Sequence, residues 1–377
     1  MTNPRNILAA PPPVSAPPHE RLGLSRERLS GVLRGMILAR AVDDRLWLLS
    51  RQGSVHFVIT SAGHEATQFG CALAVHAGRD YVVPYYRDMA LCMALGQSAL
   101  DMLLHALGRQ GDPASGARQM FGHFSSRTLR IVSGSSSVGS HIVHAAGLAL
   151  AFQLTGEQDI AAMTFFGEGA TAEGAWHEGI NFAGIHQLPL VLVCENNQYA
   201  ISVPLRLESP VEDIARKAAG YGMPGVSVDG NDLFAVYEAA KTAMDRARGG
   251  GGPTLLECKT YRLRPHSNAD DDRKYRSAEE VEGWRNRDPI LRLENYMLEQ
   301  ELLSVPELSE LRAEARAEVD EATRLAEEAP NPPRASLGEH LYASAAPDAG
   351  AGSITSAQYA EQAAMNAGRV APAAPGK

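Results

Sequence analysis

Ile160-Ala161-Ala162-Met163-Thr164-Phe165-Phe166 runs without a charge into Gly167-Glu168-Gly169-Ala170, and Leu190-Val191-Leu192-Val193-Cys194 runs into Glu195-Asn196-Asn197. Each is a short continuous apolar run, the pattern of a strand covered on both faces. Thr171–His186 between them carries helical periodicity, so the stretch reads as one strand-helix-strand unit. Val226–Asp229 and Thr254–Cys258 add two further strands, separated by a helix over Asp232–Ala247. Continuous apolar strands alternating with helices predict an α/β fold: a mostly parallel sheet with helices on both faces.

Outward from this centre, residues 26–50 place Leu29, Val32, Leu33, Met36 and Leu46 on one helical face. Ser61–His76 and Asp88–Leu107 read as further helices, with a short strand at Tyr81–Pro84 between them. Residues 108–139 are rich in Gly, Ser, Arg and His; a loop of that length is usually functional or disordered. Ser140–Leu154 is an Ala-rich helix, and residues 278–328 are helical, with Ser309–Glu328 charged enough to read as a solvated surface helix. Residues 1–20 hold six prolines, and 343–377 are rich in Ala, Gly, Pro and Ser. Neither tail buries enough to offset its ordering entropy, so both are expected to be disordered around a folded unit at 21–342.

The 377 residues carry a net charge of −9, which argues against a duplex nucleic-acid binder and its basic footprint. No uncharged apolar run approaches the roughly 20 residues that span a bilayer. The proline-rich start lacks the apolar core of a signal peptide. The four cysteines, Cys71, Cys92, Cys194 and Cys258, form no Cys-x-x-Cys pair and read as small buried hydrophobes in a reducing cytoplasm.

The glycines of Gly167-Glu168-Gly169-Ala170 allow a sharp turn and close backbone approach to a ligand, and the N-terminus of the following helix suits a phosphate. A dinucleotide fingerprint needs a third glycine three residues after Gly169; the next one is Gly174, which counts against a nicotinamide-dependent dehydrogenase. Glu168 would repel a bare phosphate. A carboxylate beside a phosphate makes sense when Mg²⁺ bridges them, since Mg²⁺ takes one or two carboxylates, neutral oxygens and phosphate oxygens. Asn197 follows Glu168 by 29 residues, about one helix plus one strand, so neighbouring parallel strands place both at the same sheet edge.

This pair of motifs resembles the thiamine-diphosphate motif, and Phe166–Ser202 resembles the alpha subunit of 2-oxoacid dehydrogenases. Arg51-Gln52-Gly53, Tyr86-Arg87-Asp88, Gly116-Ala117-Arg118-Gln119-Met120 and Val228-Asp229-Gly230-Asn231-Asp232 extend the resemblance over most of 26–330. It implies a thiamine-diphosphate-binding fold in which Glu168, Asn197 and the backbone carbonyl of Tyr199 hold Mg²⁺. Gly167, Gly169 and Ala170 would meet the diphosphate, Arg87 would pair with it and Tyr86 would lie by the cofactor. Ser136 and Val138 match positions in contact with its aminopyrimidine, and His266 matches the family's active-site histidine. His141 replaces a glutamine that ligates a monovalent cation in some relatives, so that ion is not expected.

The implied reaction is oxidative decarboxylation of branched-chain 2-oxoacids, with acyl transfer to a lipoylated dihydrolipoyl acyltransferase. Gly-Glu-Gly, Tyr199-Ala200-Ile201-Ser202 and His266-Ser267-x-x-Asp270-Asp271 support that substrate class. Two positions depart from branched-chain relatives: Tyr85 stands for a glutamine, and Glu195 for an arginine. Glu195 and His141 support the alternative, a pyruvate or acetoin dehydrogenase alpha subunit. A non-catalytic assembly subunit is a third reading, opposed by the intact Glu168, Asn197, Arg87 and His266. Ser267 matches a serine phosphorylated in eukaryotic relatives and is read as an unmodified loop serine. Residues 262–277 are expected to be mobile until the cofactor binds. Activating the cofactor needs a carboxyl that protonates its aminopyrimidine ring. No second glutamate stands here in an apolar strand-end setting, and the resemblance implies that a separate beta subunit supplies it in an α₂β₂ assembly.

Overall fold

The computed structural model describes residues 16–339. Five parallel strands form one sheet in the spatial order Tyr81–Val83, Ala162–Gly167, Leu190–Asn196, Thr254–Lys259 and Gly225–Asp229. Gly167 pairs with Glu195, and Glu195 with Cys258, so the carboxyl ends of the three central strands finish level. The residues that follow them emerge together at one edge, where open α/β sheets bind ligands.

Alternation along each strand divides the core in two. Met163, Phe165, Val191, Val193, Leu256 and Cys258 face one side, against the helices Arg26–Arg51, Glu65–Ala72 and Leu233–Arg248. Ala162, Phe166, Leu190, Leu192, Cys194 and Leu255 face the other, against Ser140–Thr155 and Gly174–His186. Both faces are covered, which is why these strands read as unbroken apolar runs; each large apolar side chain so buried contributes about 1.5–3 kcal/mol. The outer edge of Tyr81–Val83 is closed by the Arg130 carbonyl and the Val132 amide, which bond the two backbone polar groups of Val82.

Several expected elements have different bounds or settings. The strand expected at Val226–Asp229 is an edge strand, and Gly225, Val226 and Ser227 are exposed. The helix expected over Ser61–His76 spans only Glu65–Ala72. Its lead-in needs Gly63 at φ +100°, where a Cβ would fall 2.1 Å from the Tyr261 carbonyl oxygen. Asp88–Leu107 is two helices, Met89–Ala94 and Ala99–Leu107, parted at Gly96 and restarted by a Ser98–Asp101 capping box. Residues 278–328 form three helices, Ala278–Arg285, Pro289–Glu299 and Val305–Glu328. The last is not merely solvated: Leu308, Ala315, Val319, Ala322 and Ala326 make a buried seam against Arg26–Arg51 and Ala99–Leu107. Its spacing is helical, but small alanines carry much of the seam and the flanking charges mask it.

Of the tail expected over 1–20, residues 1–15 lie outside the described residues. Pro18–Arg21 is a helical turn, and His19 is buried with Nδ1 2.6 Å from Tyr296 Oη, so the packed unit begins before residue 21. The tail expected over 343–377 also lies outside the described residues. All four cysteines are buried and unpaired. Among the described residues no helix is long and apolar enough to cross a membrane.

Candidate active site

The Ala162–Gly167 strand ends in a 3₁₀ turn at Glu168–Ala172, and the helix Gly174–His186 follows. The turn passes so close to the next strand's loop that a Cβ on Gly169 would lie 2.7 Å from Ala200 Cβ. Glu168 is 1% exposed. Its Oε2 accepts the Asn197 backbone N–H at 3.0 Å, while Oε1 is buried with no partner. Burial pushes this carboxyl up to about 7. Asn197 Oδ1 accepts the Tyr199 N–H at 3.3 Å, and the chain then turns through Gln198 at φ +76° and Ile201 at φ +54°. Non-glycine residues in that region store strain, here in the loop that carries Asn197 and Tyr199.

Arg87 enters from the turn after Tyr81–Val83 and is 2% exposed. Its Nη1 donates to the Thr60 carbonyl at 2.7 Å, Nη2 lies 3.3 Å from His266 Nδ1, and Nε is buried without a partner. Arg262 brings Nη1 within 3.4 Å of the same Nδ1, and its Nη2 donates to the Ile201 carbonyl and Tyr275 Oη, both at 2.8 Å. Burial, then Arg87 and Arg262, press the His266 imidazole down to about 3, so it is neutral at physiological pH. Arg262 itself falls to about 10 through burial and the neighbouring Arg87.

The loop of 262–277, expected to be poor in apolar anchors, is held by polar ones. Arg276 donates to the carbonyls of Arg262 and Arg264 and pairs with Asp272, and the Tyr275 hydroxyl bonds both Arg262 and Asp270. Its charged residues bond one another and the backbone, so it does not depend on a diphosphate for partners.

One cavity of about 330 Å³ receives these groups. Tyr86, Arg87, Val138, Gly167, Glu168, Gly169, Ala170, Asn197, Tyr199 and His266 all line it. Ser136 does not: it is exposed, with Oγ 2.6 Å from His123 Nε2, and Ser135 lines the wall instead. A larger hollow of about 550 Å³, bordered by Asp232, Phe234, Arg287 and Tyr296, contains none of these groups.

A family profile described as "Dehydrogenase E1 component" matches residues 33–335. The chain belongs to the dehydrogenase E1 component family. That family consists of thiamine-diphosphate-dependent enzymes. The chain is 47% identical over 325 residues to the 2-oxoisovalerate dehydrogenase subunit alpha of Bacillus subtilis, covering 86% of this chain and 98% of that protein. It is 38% identical over 281 residues to the 3-methyl-2-oxobutanoate dehydrogenase subunit alpha of Mycobacterium tuberculosis, covering 74% and 73% of the two chains. It is 33% identical over 320 residues to the pyruvate dehydrogenase E1 component subunit alpha of Staphylococcus aureus, covering 85% and 83%.

Orphaned polar atoms in this E1 chain suit a diphosphate and a cation. Glu168 Oε1 and Arg87 Nε are buried without partners, and only a side chain as small as glycine fits at 169. Among the described residues no group of three or more His, Cys, Asp or Glu forms a metal cage. One carboxylate plus neutral oxygens is instead a Mg²⁺ donor set that phosphate oxygens complete.

Sequence reasoning overlooked Glu208 in the cavity wall of the E1 site and His64, a buried histidine under the influence of Arg87 and Arg262. Glu208 lines the cavity beside Gly169 with Oε2 buried and unpartnered, but it lies on a four-residue helix that no motif marks. His64 is wholly buried, both ring nitrogens lack partners, and burial with Arg87 and Arg262 holds it neutral. His141 also borders the cavity, its Nε2 2.7 Å from the Phe165 carbonyl. Glu195, weighed as a cue to the substrate, is not on the cavity surface at all.

Proposed function

We propose that this chain is the alpha subunit of a thiamine-diphosphate- and Mg²⁺-dependent 2-oxoacid dehydrogenase acting on branched-chain 2-oxoacids of the 3-methyl-2-oxobutanoate type. The supporting observation is the single cavity in which Glu168 and Asn197, from adjacent strand ends, meet Arg87 and His266. The substrate class follows from the identity of 47% to a 2-oxoisovalerate dehydrogenase subunit, against 33% to a pyruvate dehydrogenase subunit.

Glu168 Oε1, Asn197 Oδ1 and the Tyr199 carbonyl are the proposed Mg²⁺ ligands. The backbone at Gly169 and Ala170, together with the Arg87 guanidinium, would hold the diphosphate, because fixed N–H donors match phosphate oxygens. Thiamine diphosphate supplies the carbon nucleophile and the electron sink for decarboxylation. His266 accepts guanidinium N–H groups at Nδ1, so its proton resides on Nε2, and the neutral ring acts as a hydrogen-bond donor there. Tyr86 and Ile201 add aromatic and aliphatic surface to the cavity wall.

The proposal includes a beta subunit in an α₂β₂ assembly, a lipoylated dihydrolipoyl acyltransferase as acyl acceptor, and a cytoplasmic setting in keeping with four buried, unpaired cysteines. The test is turnover of a panel of 2-oxoacids by the chain purified with its partner subunit, using an artificial electron acceptor. Branched-chain acids should lead. Preference for pyruvate overturns the substrate assignment, and absence of thiamine diphosphate binding overturns the activity.

A further inference from the structure

Glu195 ends the Leu190–Asn196 strand, is fully buried and contributes nothing to the cavity surface. Its Oε2 accepts the Tyr85 hydroxyl at 2.8 Å and lies 3.3 Å from Gln68 Nε2. That nitrogen also lies 3.2 Å from Asp88 Oδ1 and 3.2 Å from the Arg87 carbonyl, and Gln68 Oε1 accepts the Leu91 N–H at 3.0 Å. Asp88 Oδ2 accepts the Tyr85 N–H at 2.8 Å. An amide nitrogen has two hydrogens and here faces three acceptors, so it cannot satisfy them all. The Tyr85 hydroxyl is the shortest bond Glu195 makes, and the buried Asp88 carboxyl is its acidic neighbour.

Arg87 sits between the two residues this network grips. Tyr85 is held at its hydroxyl and its amide, and Asp88 at its carboxylate. The Tyr85 ring lines the cavity next to Gly167, within 4.0 Å of where a Cβ would stand on that glycine, and lies 4.9 Å from the Tyr86 ring. We propose that Glu195 is a positioning residue that acts through the Tyr85 hydroxyl to hold the Tyr85-Tyr86-Arg87 wall in place for the diphosphate. This rests on the reading that the cavity takes thiamine diphosphate. The catalytic groups themselves are untouched by Glu195; its effect passes from the Leu190–Asn196 strand into the turn that carries Arg87.

The test uses the complex assembled with its partner subunit and compares wild type, Tyr85→Phe, Glu195→Gln, Glu195→Ala and the Tyr85→Phe/Glu195→Ala double variant. Calorimetry with Mg²⁺ gives cofactor affinity, and steady-state kinetics at saturating cofactor give kcat and KM for the 2-oxoacid. Tyr85→Phe removes one oxygen and should weaken cofactor binding about tenfold. Glu195→Gln keeps an acceptor for the hydroxyl and should stay within about twofold of wild type. Glu195→Ala should match Tyr85→Phe, and the double variant should be no worse than Glu195→Ala, because both remove one interaction. KM for the 2-oxoacid should not move. Cofactor binding by Tyr85→Phe equal to wild type overturns the proposal, as do losses that multiply in the double variant. Should Glu195→Ala fail to fold, Tyr85→Phe against Glu195→Gln decides alone. A wild-type complex that binds no thiamine diphosphate overturns the functional reading, and this proposal with it.

Discussion

Glu168 Oε2 accepts the backbone N–H of Asn197 at 3.0 Å, which ties two adjacent strand ends together and leaves Glu168 Oε1 buried and unused. A buried carboxylate oxygen without a partner is costly, and a cation at that atom would relieve the cost. Glu168→Gln and Asn197→Ala should each weaken Mg²⁺-dependent cofactor binding about 100-fold or more, read by calorimetry on the assembled complex. Unchanged affinity in both variants would remove the metal assignment.

The same burial predicts a trade between binding and stability. The Glu168 carboxyl rises from 4.5 to about 7 in the fold, so between those values the native state holds a proton that the unfolded chain has released. That stabilising contribution is complete below 4.5 and is lost as pH rises through about 7. Without cofactor, Glu168→Gln should therefore raise stability at pH 8 by on the order of 2 kcal/mol and leave it nearly unchanged at pH 4. Thermal melts at the two pH values check this; an equal shift at both would contradict it.

His266 has the opposite sign. Its imidazole falls from 6.5 to about 3 in the fold, so below 6.5 the unfolded chain takes a proton that the native state refuses. The resulting stability is present above 6.5 and is lost as pH falls toward 3. His266→Gln should flatten the acid limb of cofactor-free stability between those values, measured as urea midpoints across pH. A limb as steep as wild type would mean that the histidine titrates normally.

Gly169 is where the phosphate-facing turn approaches the Tyr199–Ala200 segment most tightly. Gly169→Ala puts a methyl 2.7 Å from Ala200 Cβ and 3.2 Å from Glu208 Oε1. Ala200 cannot rotate away, so the backbone must shift, at a cost of about 1–3 kcal/mol. The variant should melt lower and bind cofactor more weakly. Gly174→Ala meets nothing within 4 Å and serves as a control that stays within about 0.5 kcal/mol of wild type. A Gly169→Ala protein indistinguishable from that control would show that the turn has room to spare.

What the sequence revealed of this site depended on whether the signal was local. Leu190–Cys194 reads as a strand because both of its faces are buried, and its end marks Asn197 without further help. The Ser135-Ser136-Ser137 run marks the right loop, but which serine faces the cavity depends on a turn that puts Ser136 against His123. Tyr85 and Glu195 drew notice only as two separate departures from branched-chain relatives. They are 110 residues apart in the chain and 2.8 Å apart in the fold, a coupling no pattern in the sequence exposes. Glu208 and the seam of Val305–Glu328 escaped for a related reason: what makes each matter is the surface it packs against.

The last expectation is that this chain alone does not turn over 2-oxoacids. The carboxylates that line the cavity are Glu168, Glu173 and Glu208, and all three flank the Gly169 turn, the end assigned to the diphosphate. The carboxyl expected to protonate the cofactor's aminopyrimidine belongs at the other end, away from the diphosphate, and must come from elsewhere. Glu65 is committed to Arg40 at 2.6 Å and to the Gly63 N–H at 2.8 Å. Glu257 bonds Asn196 Nδ2 at 2.7 Å and the Ala215 N–H at 3.0 Å. Neither borders the cavity. Around the site the chain also leaves apolar side chains in water: Val138 is 45% exposed, Ile201 56% and Leu207 68%, and the first two line the cavity itself. Apolar residues gathered at a site in this way mark a surface that another chain covers. Decarboxylation by the purified chain with an artificial electron acceptor should be at background and should appear when the partner subunit is added. Substantial turnover by the chain alone would show that it already holds the missing carboxyl.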